Sequence, residues 1–110
     1  MKIRTLTAAL ACLPAGAAEA ASFNCSHAFL PAEEAVCDNP NLSQLDEKTA
    51  GMYFLIVGSS PPQTTLTEVK ASQKKLVATR NACGANVDCL VDAYTSQIMY
   101  LKNVKGDLGL

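Results

Sequence analysis

Tryptophan is absent from this chain, histidine occurs once, and Phe, Tyr and Trp together make up only 5% of it. A single His cannot supply the paired imidazoles of most metal or acid–base centres. No C-x-x-C occurs, which removes the spacing of zinc ribbons and of redox-active pairs. There is no glycine-rich phosphate loop, no internal repeat and no low-complexity tract. No apolar stretch reaches the roughly 20 residues that a membrane span requires. Basic residues form no patch: Lys70, Lys74, Lys75 and Arg80 read as a solvated helix face rather than a binding surface. Nucleic acid is therefore a poor candidate for the partner.

The conventional arrangements of hydrolytic chemistry are missing as well. A hydrolase needs a nucleophile with its base, two carboxylates of separated acidity, or a metal. His27 stands beside Ser26, but neighbours in sequence do not face each other as a catalytic pair does. Glu33 and Glu34 are adjacent, so on a helix they splay apart. Their better use is to complement a helix N-terminus. The expectation is a chain that is not an enzyme, with no cofactor and no metal.

What is present begins with an address. Lys2 and Arg4 precede an apolar stretch from Leu6 to Ala18, and Ala18-Glu19-Ala20 has the small-x-small pattern of a cleavage site. Residues 1–20 thus read as a secretory signal peptide, and residues 21–110 as one helical domain with a core over 23–104 and a frayed tail at 105–110. Cleavage after Ala20 leaves 90 of the 110 residues, enough for a single thin core. Taking Lys2, Arg4 and Glu19 from nine basic and ten acidic residues leaves seven and nine, a net charge of −2. The expected location is periplasmic or secreted, in a bacterial envelope. Cys12 offers an alternative, a lipid anchor. Ala9-Leu10-Ala11-Cys12 matches a lipidation motif only loosely, because Leu is expected three residues before the Cys, and the apolar segment ahead of it is short. Cleavage near Ala20 is the preferred reading.

Four cysteines then remain: Cys25, Cys37, Cys83 and Cys89. An even number in an oxidising compartment indicates a disulfide framework, and four Cys allow three connectivities. The local pairs Cys25–Cys37 and Cys83–Cys89 are favoured. Six residues of continuous helix would hold Cα atoms about 9 Å apart, whereas a disulfide tolerates at most about 7 Å. The chain must turn between Cys83 and Cys89, and Gly84-Ala85-Asn86 suits that turn, with a left-handed residue followed by an N-cap.

Periodicity organises the rest. Phe23 to Asn39 forms a disulfide-closed loop holding a short helical turn over Pro31–Cys37, stopped by Asn39-Pro40. A helix is expected from about Asn41 to Val57, with Leu42, Leu45, Thr49, Met52, Tyr53 and Ile56 on one face. Gly51 lies within it, where it could admit a close neighbour, and Gly58 ends it. Thr65-Leu66-Thr67-Glu68 has the capping-box pattern and opens a second helix reaching about Ala82, with Leu66, Val69, Leu76 and Val77 inward. A third is expected from about Val87 to Val104, with Leu90, Tyr94, Ile98 and Leu101 inward and Gly106 as its end. The fold class is all-α: a small antiparallel helical bundle of about three main helices plus the short disulfide-closed N-terminal element. Asp46 and Arg80 each sit beside an apolar stripe, where an unpaired charge is costly. They are candidates for an ion pair fixing helix register, the alternative being that both point outward.

Residues 23–101 resemble the LprI-type lysozyme-inhibitor family. The resemblance rests on Phe23-Asn24-Cys25, on Glu34 and Cys37, and on Asn41-Leu42, Leu45-Asp46 and Tyr53. It continues through Gln73, Leu76, Arg80 and Cys83-Gly84 to Cys89-Leu90, Tyr94, Ile98 and Leu101. Leu76 stands where such sequences commonly have Trp, and Gln97 where they often have Arg. The resemblance implies an exported helical domain whose partner is a protein, with lysozyme the leading candidate. It designates no inhibitory residues, and the Ser-Gly-x-x-Tyr loop of a different inhibitor group is absent. Lysozyme is small and basic, so acidic side chains would steer it and an apolar anchor would hold it; Glu33, Glu34, Asp38 and Asp92 are the candidates. The alternative reading is an envelope interaction or structural module that binds another protein and leaves lysozyme unaffected.

Overall fold

The computed structural model describes residues 21–110. The stretch read as a signal peptide, with Cys12, lies outside the described residues.

Short polar side chains and prolines set the helix ends. A 3-10 turn, Cys25–His27, is capped by Asn24, whose Oδ1 accepts from the Ser26 N–H at 3.0 Å. Helix α1 spans Pro31–Asp38, with Pro31 in the first turn. There the missing N–H costs nothing. Asn39 closes α1 and opens α2, Pro40–Gly58, by accepting from the Asn41 and Leu42 N–H groups at 2.9 and 3.2 Å. Asn39-Pro40 therefore stops one helix and starts the next.

Helix α3 spans Gln63–Ala82, three residues longer at its start than the Thr65 capping pattern suggests. Pro62 holds an extended backbone and its carbonyl accepts from the Leu66 N–H at 3.0 Å, so the helix begins directly after the prolines. Helix α4 spans Val87–Leu108, and the Asn86 side chain accepts from the Cys89 N–H at 3.0 Å. The frayed tail expected at 105–110 is corrected here. Gly106 is passed over, and the helix ends in a Schellman arrangement at left-handed Gly109. The Leu110 N–H donates to the Lys105 carbonyl at 2.9 Å and the Gly109 N–H to the Gly106 carbonyl at 3.1 Å. Val104 and Leu108 pack on the core, which is why the last turn holds.

The three long helices run up, down and up. Leu42 of α2 shares one apolar cluster with Leu90 and Tyr94 of α4, while Met52 and Ile56 share a second with Ile98 and Leu101. Thus α2 and α4 run parallel. Helix α3 runs against both, placing Leu76 in the first cluster and Val69 in the second. Helix α1 contributes Ala32 and Val36 to the first cluster, beside Ala21. All elements among the described residues are helical, and no helix among them is long and apolar enough to cross a membrane. Two expectations about faces change. Val77 is exposed rather than inward. Gly51 is exposed, and a Cβ there would meet nothing within 4 Å, so it admits no close neighbour.

Candidate functional site

Both local disulfides are formed, with Cα–Cα distances of 5.9 Å for Cys25–Cys37 and 5.6 Å for Cys83–Cys89. The second closes over the turn that its spacing demands, with Gly84 at φ +59°. The first encloses a loop that carries Phe29, 78% exposed, and Leu30, 43% exposed.

That loop is held from behind. Glu33 Oε1 accepts from the Phe29 and Leu30 backbone N–H groups, each at 3.2 Å. This is half of a capping box; Leu30, at the N-cap, has no side-chain acceptor to complete it. Glu33 Oε2 faces Arg80 Nη2 at 3.6 Å. Arg80, only 7% exposed, is fixed in turn. It donates to Asn81 Oδ1 at 3.1 and 2.9 Å, and its guanidinium lies 5.1 Å from the centre of the Phe23 ring. A disulfide, a carboxylate and a buried guanidinium thus tie an exposed aromatic to the body of the bundle.

The expected Asp46–Arg80 ion pair is not formed; each takes another partner. Asp46 Oδ1 accepts from the Tyr94 hydroxyl at 2.8 Å, and Oδ2 accepts from the Ser22 N–H. Arg80 turns to Glu33 instead. The reason is placement: Tyr94 reaches Asp46 from α4, while α1 brings a carboxylate to Arg80. Burial pushes the Tyr94 hydroxyl well above the ordinary phenol range, the charge and hydrogen bond of Asp46 add to this, and Arg80 opposes it.

The four candidate acids do not form one surface. Glu33 is half-buried, pairs with Arg80 and supports the loop through the Phe29 and Leu30 N–H groups. Glu34 and Asp38 are exposed on α1, one turn apart. Asp92 lies instead on a groove of about 630 Å³ between α3 and α4, lined also by Ser72, Lys75, Leu76, Gln97 and Tyr100. His27 is exposed. Among the described residues no group of three or more His, Cys, Asp or Glu is arranged to hold a metal.

Leu76 and Gln97 are both scaffold residues. Leu76 is buried in the first cluster. Gln97 is buried and donates to Ser72 Oγ at 3.1 Å and Gln73 Oε1 at 3.3 Å, joining α4 to α3. Sequence reasoning passed over Phe29-Leu30. The available signal was an apolar pair inside a disulfide loop and ahead of any helical stripe. Comparison with protein families, with curated proteins and with solved structures found no match for this chain.

Proposed function

We propose that this chain is a small exported binding protein, not an enzyme, and that its partner is a lysozyme. The observation that carries the reading is Phe29, held exposed on a loop clamped by Cys25–Cys37 and by Glu33. Ordering a flexible loop on binding costs about 0.5–1.5 kcal/mol for each immobilised side chain. A loop already held by its own bonds avoids much of that cost. Aromatic anchors with a polar rim are the usual form of an interface hot spot. Glu34 and Asp38, exposed on the helix that follows the loop, supply acidic groups suited to steering a basic protein. The resemblance to the LprI-type family supports the choice of lysozyme. Two disulfides support an oxidising, extracytoplasmic location.

The test is a lysozyme turbidity assay with the chain in excess. Protection at micromolar concentration is expected, with Phe29→Asp weakening it by at least about thirtyfold, the lower end of a hot-spot effect. Glu34→Lys with Asp38→Lys should slow association several-fold, more at low salt than at high salt. No protection by the unaltered chain would overturn lysozyme as the partner. Capture of a different envelope protein through the same Phe29 loop would then establish the interaction-module reading.

A further inference from the structure

We infer that removal of the leader creates a new internal anchor: the freed α-ammonium of Ala21 docks on the Asp46 carboxylate. Ala21 is 5% exposed and sits in the first apolar cluster with Ala32, Val36 and Leu42. The next residue already reaches Asp46, since the Ser22 N–H donates to Oδ2. Successive Cα atoms are about 3.8 Å apart, so the Ala21 nitrogen is within one residue step of a nitrogen in contact with the carboxylate.

The electrostatics favour such a group. Asp46 is 5% exposed, and its two donors, the Tyr94 hydroxyl and the Ser22 N–H, are both neutral. A buried carboxylate is costly without a paired charge. Arg80 of α3 acts on the Tyr94 hydroxyl, but its ion pair is with Glu33 of α1. Tyr94 of α4 is a neutral donor already bonded to Asp46. An ammonium at residue 21 would supply the cation that α3 gives to Glu33. Chemically, an envelope peptidase adds water across the Ala20–Ala21 bond. Ala20 leaves as a carboxylate, and the Ala21 amine takes a proton at neutral pH, its ordinary pKa being about 7.7–8.0.

The inference rests on cleavage after Ala20 and is independent of the partner. Its test compares three forms: the full chain, a chain beginning at Glu19 and a chain beginning at Ala21. The form beginning at Ala21 should melt higher than the Glu19 form by about 4–8 °C, a shift equivalent to about 1 kcal/mol in a domain of this size. Asp46→Asn should abolish that difference, and the full chain should behave like the Glu19 form. An amine stabilised by a carboxylate has a raised folded pKa. The extra stability should therefore be complete below about pH 8 and disappear as pH rises through the folded value. Should Asp46→Asn fail to fold, NMR titration of the Ala21 amine in the unaltered chain decides the matter. A pKa above the ordinary range supports the anchor, and an ordinary value overturns it. Equal melting of the Ala21 and Glu19 forms, a difference that survives Asp46→Asn, or an exported protein beginning at another residue would each overturn it too.

Discussion

Tyr94 and Asp46 decide how one end of the bundle tolerates charge. Tyr94 is almost wholly buried, and its hydroxyl is the only side-chain donor to Asp46 among the hydrogen bonds of the described residues. Tyr94→Phe should cost about 1–3 kcal/mol at neutral pH, because a buried carboxylate loses a donor; urea denaturation reads this directly. The Tyr94 pKa is raised in the folded protein, so its contribution is fully present below the ordinary phenol value of about 10 and is lost as pH rises above it. The stability gap between the two proteins should accordingly narrow above about pH 10. A gap that stays constant to pH 11.5 would contradict the assigned burial. The sequence marked Asp46 as a charge at an apolar stripe, and it is indeed buried. It did not reveal the partner, since Tyr94 lies 48 residues away and reads simply as core.

At the scale of the element, the same residue type acts in opposite directions. Gly84 carries φ +59° in the turn that lets Cys83 meet Cys89. Gly84→Ala should destabilise by about 1–2 kcal/mol, the penalty for a Cβ in left-handed backbone. Gly51 lies mid-helix, exposed, with nothing within 4 Å of an added Cβ. Gly51→Ala should stabilise by about 0.5–1 kcal/mol. Thermal melting of the two variants should show shifts of opposite sign. Asn86 and Gly84 were legible from sequence because caps and turns are local devices. The ends of α3 and α4 were less so. Thr65 matches a capping pattern that the prolines pre-empt, and Gly106 looks like a stop but is carried through by Val104 and Leu108 packing on the second cluster.

For the whole molecule, covalent closure takes over part of what a larger core would do. Each disulfide should contribute about 2–3 kcal/mol by loop closure, slightly more for the longer Cys25–Cys37 ring. The paired changes Cys25→Ser with Cys37→Ser, and Cys83→Ser with Cys89→Ser, should therefore lower stability by similar amounts. Their effects on lysozyme protection should differ. Losing the first clamp frees the Phe29 loop and should abolish protection, whereas losing the second should leave it within about threefold wherever the protein remains folded. Equal loss of protection in both variants would count against the loop as the contact surface.

The sequence by itself determined the helical class and most of the helix boundaries, and it favoured the local pairing of the cysteines. Those features depend on residues close along the chain: the two disulfides close over separations of 12 and 6, and caps act within a single turn. Only the tertiary structure decided which charge meets which. Asp46, Arg80, Glu33 and Tyr94 come from four different helices, and a buried charge takes whichever partner packing brings within reach, a choice that no local pattern encodes.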